Sequence, residues 1–360
     1  MATTRNPTGA RTRPGGLIRP GLTAAHLPAV ELDPRTGYDF LTSTCSDCGE
    51  LEDLLPEDRS WLENSRAELA AEMGTGDLTQ ACTGFVAELG RMLVGRPEIS
   101  TARDVVDAID AMAEAELLEA MVGELLEDAD LGGVTRRALD GDADSYRQLQ
   151  VRLDLHKGRS PITGSMAELA PGVRRVVHSW LPRYETVEAR VGRMLGRDVA
   201  ERADDPARDP IGFVERTTNG IRLVPEQRIH RVVLAPTYFG RPYNSLTRVG
   251  DVQLVCYPIA DSALGAADRL APPAATVRLY RALGDGSRLR ILRLLAERDC
   301  YLTEIANELE LSKPTIMHHL ALLRAAGLVT VTNQGNLTYY SLRRDRADEA
   351  GVELRGYLAH

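Results

Sequence analysis

Apolar residues recur at intervals of three and four over most of the first 200 positions, the period of an amphipathic helix. The segments "RSWLENSRAELAAEM" (59–73), "DLTQACTGFVAELGRML" (77–93) and "GVRRVVHSWLPRYETVEARVGRML" (172–195) all carry it. In "TARDVVDAIDAMAEAELLEAMVGELLEDADL" (101–131), Val105, Ile109, Met112, Leu117, Met121 and Leu125 lie near one stripe, with the acids mainly off it. That pattern predicts an amphipathic helix with a solvated acidic face. The period then changes. Residues 219–259 are rich in Val, Ile, Leu and Tyr and are cut by Gly and Pro, which predicts three short strands. The second and third are "RVVLAPTYF" and "VQLVCYP"; the Pro272-Pro273 pair beyond them marks a domain boundary.

Past that boundary the helical period returns in shorter bursts. A helix runs to about Leu283, breaks at Gly284–Gly286, and gives way to a second that Asp285 can cap through the N–H near Arg288. "TEIANELEL" predicts a short third helix with Thr303 as its cap. "LSKPTIMHHLALLRAAG" (311–327) predicts a fourth, capped by Ser312, with Pro314 in its first turn and Gly327 at its end. Two strands, "LVTVT" and "LTYYSL", follow around the turn Asn333-Gln334-Gly335-Asn336. This is the order of a winged helix-turn-helix. The expected class is α+β: a mostly helical N-terminal region with a short-stranded sheet, then a C-terminal winged helix-turn-helix domain. The expected divisions are a disordered basic tail (1–20), an N-terminal α+β domain (21–270), the winged helix (274–345) and a C-terminal helix (346–360).

Charge sharpens this division. The chain of 360 residues carries 43 basic and 52 acidic residues, a net −9, which argues against a protein that coats nucleic acid over its whole surface. Residues 1–20 hold +4, residues 276–345 hold +3, and residues 21–275 hold −15. A mildly basic module on an acidic body suits a small DNA-binding domain carried by a larger one. No apolar run approaches the roughly 20 residues that cross a bilayer, and the N-terminus lacks the apolar core of a secretory signal. Five cysteines scattered over the chain do not form a disulfide framework. These features lead to the expectation of a cytoplasmic protein with no membrane association.

The segment "ALGDGSRLRILRLL…LTEIANELELSKPTIMHHLALLRAAGLVTVTNQGNLTYYSL" strongly resembles the ArsR-type (arsenic-repressor-like) family of bacterial transcription factors. The resemblance covers about 276–343, less than a fifth of the chain. It rests on the Asp-x-x-Arg helix start, "HHL..LR.AGLV" and the closing "YYSL". It implies a homodimer that binds a short inverted repeat in double-stranded DNA, usually as a repressor released by a signal.

Helical geometry assigns the residues of the fourth helix. At about 100° per residue, with Ile316 at zero, Leu320 falls at about 40° and Leu323 at about −20°, so these three anchor the helix. Pro314, His318 and Ala321 point the other way, with Thr315 and Met317 on the flanks. His319 falls at about −60°, the edge of the buried stripe. The expected DNA-contacting set is Ser312, Lys313, Pro314, Thr315, Met317 and His318. Gln334 and Asn336 join it at the wing tip, and Arg343 and Arg344 as phosphate contacts. Adjacent histidines diverge by about 100°, whereas helical ligands of one metal sit three or four residues apart, so the pair is a poor metal site.

Arsenic-sensing relatives carry a Cys-Val-Cys pair before an acidic residue on the third helix. Here the place reads "CYLTEI", with Tyr301 and Thr303 where the thiolates would stand and Cys300 one residue out of register. Zinc-sensing relatives use His and Asp or Glu on the last helix, which here offers only His360. The remaining metal or dithiol candidate is Cys45-x-x-Cys48, which lacks a second pair to complete a structural zinc site. "DGDADSY" (140–146) has Ser145 where a calcium loop needs Gly, and reads as a polar turn.

Residues 21–270 contain no Walker loop, G-x-G-x-x-G, G-x-S-x-G or His-Glu-x-x-His, so neither an enzyme nor a cofactor is expected. "APTYFGRPYN" (235–244) is similar to the N-terminal extension of long ArsR-type regulators. An effector pocket, a dimerisation platform and a protein-docking surface all remain open. Tyr238, Phe239, Tyr243 and Trp180 could line a pocket for a small-molecule effector or simply fill the core. Two alternatives stand beside the repressor reading: an adaptor working through protein–protein contacts, and a thiol- or zinc-responsive regulator using Cys45 and Cys48.

Overall fold

The computed structural model describes residues 27–359 except 46–48, 74–87, 128–129, 150–165, 203–204, 225–227, 266–271 and 335–336. The basic tail, Cys48, most of the predicted helix 77–93, Asn336 and His360 fall outside the described residues.

The strand-forming runs of the N-terminal region assemble one four-stranded sheet. Its members are β1 (Ala29–Leu32), β3 (Arg231–Thr237), β4 (Ser245–Val249) and β5 (Val252–Pro258). Their order is β1-β3-β5-β4, parallel except for the edge strand β4. Sheets of this kind are covered on both faces, which is why "VVLA" and "LVCY" are continuous apolar runs. Val233, Ala235, Leu254 and Cys256 face the larger core, and Val232, Leu234, Val255 and Tyr257 face a smaller one.

Helices α1 (Thr36–Ser43), α2 (Pro56–Met73), α3 (Ala102–Ala111), α4 (Glu114–Glu127), α5 (Gly132–Leu139) and the 35-residue α6 (Met166–Ala200) build the larger core. The smaller one is closed by α7 (Pro210–Thr217) and Ile221. The stripe over 101–131 is divided. Helix α3 starts on a reciprocal cap between Thr101 and Asp104 and ends at Met112, whose carbonyl accepts a 2.6 Å hydrogen bond from Arg174 of α6. That tertiary donor satisfies a carbonyl that a continuous helix would have used itself.

The aromatic residues of this region are core. Trp180, Tyr238 and Phe239 are fully buried; Trp61 packs against both Trp180 and Phe239, while Tyr243 is half-buried with its hydroxyl on Glu50. A polar network threads between them. The Asp39 carboxylate accepts the N–H groups of Tyr238 (2.6 Å) and Phe239 (2.9 Å) and the Tyr184 hydroxyl (2.9 Å). Asp58 pairs with Arg190 through both oxygens and accepts the Tyr238 hydroxyl at 2.7 Å. Buried carboxylates persist only with such partners.

The C-terminal part follows the expected order. It comprises α8 (Ala274–Leu283), α9 (Gly286–Leu295), β6 (Cys300–Tyr301), α10 (Leu302–Leu309), α11 (Lys313–Ala325), β7 (Val329–Gln334), β8 (Leu337–Leu342) and α12 (Arg344–Leu358). Leu279, Ile291, Leu295, Ile305, Ile316, Leu320, Leu323 and Val329 form its core, which also takes in Ala350 of α12. Thr303 lies inside α10 and does not cap it. The cap is made two residues earlier, where the Tyr301 N–H reaches the Glu304 carboxylate at 3.0 Å.

The first of the three expected strands leaves its neighbours. Residues Ile221–Arg222 (β2) pair in parallel with Val331–Thr332 of the wing, so the second sheet runs β2-β7-β8-β6. Asn219 at φ 54° and Gly220 at φ 120° make the turn into it, and the Gly220 carbonyl accepts the Val331 N–H at 2.9 Å. The buried Gly220 lies so close to the Val329 carbonyl that a Cβ would sit 3.2 Å from it.

Burial pushes the Asp39 carboxyl up to about 6 despite its three donors. An unfolded Asp titrates near ~3.9, so the contribution of this group to stability is full below that pH and is lost as pH rises through about 6. Asp39→Asn keeps an acceptor for the two N–H groups and has no charge to bury. Urea midpoints measured from pH 4 to pH 8 should therefore fall less steeply in the variant than in the parent; equal slopes would exclude Asp39 as their source.

Candidate DNA-binding surface

Helix α11 begins where Ser312 ends the preceding turn in an extended conformation (φ −66°, ψ 148°). Its hydroxyl accepts the Thr315 N–H at 3.3 Å and lies 2.7 Å from the Thr315 hydroxyl. Lys313 and Pro314 are the first helical residues, and Gly327 ends the unit at φ 71°. The anchoring expected from the 3.6 period is present, with Ile316, Leu320 and Leu323 all buried. Ser312, Lys313, Pro314, Thr315 and His318 are exposed, and Met317 is half-buried. The helix thus presents one cation, one imidazole and one hydroxyl pair on its solvent face, next to the N–H groups of its first turn.

The two histidines divide as their angular positions require. His319 is only 13% exposed, and its Nδ1 stands 3.9 Å from the Asp285 carboxylate. Burial holds its pKa below the usual histidine value, with Asp285 pulling the other way. Asp285 is itself the cap of α9, accepting the Arg288 N–H at 2.9 Å, and that bond holds its carboxyl below the usual range. The ring centroids of His318 and His319 are 6.1 Å apart, with the rings tilted by 52°.

The remaining expected contacts are dispersed. Gln334 ends β7; Arg343 and Arg344 stand at the opposite end of the wing, where β8 meets α12. Arg343 donates to the Asn219 side-chain oxygen at 2.9 Å, and Arg344 donates to the Ala296 carbonyl. The sequence announces the first strand of 219–259 and the Asn219-Gly220 turn before it, but nothing in either names the wing as the partner of β2 or Asn219 as the acceptor of Arg343.

Cys300 is fully buried and unpaired, with its thiol pKa raised by burial, and Tyr301 occupies the cap of α10. Cys45, one half of the Cys45-x-x-Cys48 metal or dithiol candidate, is buried and disulfide-bonded. Among the described residues no group of three or more His, Cys, Asp or Glu side chains could hold a metal ion. None of their helices is long and apolar enough to cross a membrane.

The model of the "Bacterial regulatory protein, arsR family" matches residues 285–331, from the cap of α9 into the wing. An HTH-type transcriptional regulator of Methanocaldococcus jannaschii is 40% identical over 72 residues, spanning 81% of that protein. The chain belongs to the arsR family. The HTH-type transcriptional regulator CmtR of Mycobacterium tuberculosis is 41% identical over 80 residues, 68% of its length. The transcriptional repressor SdpR of Bacillus subtilis is 38% identical over 64 residues, 71% of its length. These matches occupy only 18–22% of this chain, which is much longer than its arsR relatives. The winged helix makes this arsR-family member a DNA-binding regulator.

The Ser312 cap generates a direct test. Ser312→Ala leaves the first-turn N–H of Thr315 without its acceptor and should cost about 1 kcal/mol, measured as a lower urea midpoint with an unchanged slope. A neutral result would mean that water replaces the hydroxyl without loss.

Proposed function

We propose that this chain is a dimeric, sequence-specific transcriptional repressor whose long N-terminal region supplies the sensing half. The carrying observation is α11: a helix anchored by three buried aliphatic residues, with Ser312, Lys313, Pro314, Thr315 and His318 exposed among the described residues. In this reading α11 enters the major groove. Lys313 engages guanine or phosphate, Thr315 and His318 meet base edges or backbone, and Met317 packs at the margin. Gln334 and Asn336 reach the minor groove or backbone from the wing. The repressor relative SdpR supports the sign of regulation. The size of the N-terminal region, with its 35-residue core helix and two sheet-facing cores, is in keeping with a sensing role.

Dimerisation finds support on α12. Leu354 and Leu358, one turn apart, are 36% and 72% exposed, and Tyr280 of the adjoining α8 is 38% exposed. Its hydroxyl donates to the Ala350 carbonyl at 2.9 Å, joining the two helices into one platform. A second copy of this platform is the natural cover for those side chains.

Lys313→Ala and His318→Ala should each weaken binding to the chain's own promoter DNA while leaving the circular dichroism unchanged. Losing the Lys313 phosphate contact should reduce the salt slope of log K by about one. Promoter binding that is insensitive to both changes and to salt, or no binding at all, would sink the reading. A footprint without a protected inverted repeat, joined to a captured protein partner, would favour the adaptor alternative. In sedimentation, Leu354→Glu combined with Leu358→Glu should convert the dimer to a folded monomer; a dimer that survives would place the interface elsewhere.

A further inference from the structure

Beside the seam between β2 and the wing lies a cleft of 440 Å³, away from helix α11. Its walls come from distant parts of the chain. Glu215, Arg216 and Arg222 belong to α7 and β2; Arg343, Arg344 and Asp345 belong to the start of α12. The volume is within the roughly 300–1,000 Å³ of small-molecule sites.

The charges in this cleft are not evenly matched. On the N-terminal wall Arg222 forms two 3.0 Å hydrogen bonds to Glu215, with Asp299 nearby, and Arg216 stands 3.1 Å from Asp209. On the winged-helix wall the hydrogen-bond partners are neutral. Arg343 donates to the Asn219 amide oxygen, with Asp345 at 3.6 Å, and Arg344 donates to the main-chain carbonyl of Ala296. Arg343 is thus already ion-paired with Asp345, whereas Arg344, bound to a main-chain carbonyl, keeps its full charge and spare N–H groups for a carboxylate or phosphate.

We infer that this cleft is an effector site for a small organic or inorganic polyanion, held between Arg222 of the N-terminal region and Arg343 and Arg344 of the winged helix. The inference deepens, and rests on, the reading of the N-terminal region as the sensing half. A duplex is the wrong shape for the site: the cleft is concave and molecule-sized, and β8 separates it from the wing turn by six residues, about 20 Å. Its position also supplies a route to DNA. Arg343 holds Asn219, and the next residue, Gly220, holds the Val331 N–H of the wing. An anion that engages Arg343 competes with Asp345 and Asn219 for its guanidinium and so acts on the strand pairing that positions the wing.

The test titrates the full chain with citrate and with pyrophosphate at constant ionic strength, read by calorimetry and thermal shift. Saturable binding of at least one probe is expected, weakened about tenfold or more by Arg344→Gln and by Arg222→Gln. Both side chains are exposed enough for the variants to keep the parental circular dichroism, and Lys313→Ala should bind the probes as the parent does. Neither probe saturating below about 10 mM, or affinities unchanged in both variants, overturns the site. If Arg344→Gln spares the probes and instead lowers the DNA salt slope by about one, Arg344 is a DNA phosphate contact and the inference fails. Probe binding should shift promoter affinity by about threefold or more. Binding without such a shift overturns the coupling alone, and ligand-free protein that ignores the promoter counts against the repressor reading instead.

Discussion

A wing strand at the edge of its sheet exposes a row of N–H and C=O groups that must meet either water or another strand. Here two residues, Ile221 and Arg222, take that edge in parallel, and the arrangement of the two halves follows from it. The pairing needs a sharp entry, made by Asn219 and Gly220 at positive φ, and a close approach that leaves little room for a Cβ at Gly220. Other contacts also join the N-terminal region to the C-terminal part. Arg343 reaches Asn219, Arg278 of α8 pairs with the buried Asp53, and the Asp261 carboxylate accepts the N–H of Ala275 while pairing with Arg241. Removing one partner of a buried ion pair strands the other, so such contacts hold a seam in register even where their net stabilisation is modest.

The seam leaves the first turn of helix α11 exposed. Helix α11 is held from below by Ile316, Leu320 and Leu323, and among the described residues its outer face is exposed. The adjacent histidines illustrate how strictly a helix sorts its neighbours. One residue of separation turns His319 toward Asp285 and leaves His318 outside. The same rotation that makes His318 available to a groove denies the pair a shared metal.

In the N-terminal region, residues that could have lined a pocket became structure. Trp180, Tyr238 and Phe239 stack in the core, and the hydroxyls of Tyr184 and Tyr238 complete the shells of Asp39 and Asp58.

Much of this protein is legible in its sequence because the signals are local. The 3.6 period with Ser312, Pro314 and Gly327 set the bounds of α11, Asp285 announced the start of α9, and the runs around 231–239 and 252–258 announced two sheet strands. Local signals mislead where a distant group intervenes. Arg174 from α6 ends α3 at Met112, inside a stripe that reads as continuous, and Glu304 moves the cap of α10 from Thr303 to Tyr301. Tertiary structure alone decided the partner of β2 and the fate of Arg343 and Arg344. A two-residue strand has too few side chains to encode its neighbour, and an arginine at the foot of a wing takes whatever acceptor the fold brings near. Periodicity specifies which face of an element is buried; which surface then covers its edge depends on residues a hundred positions away.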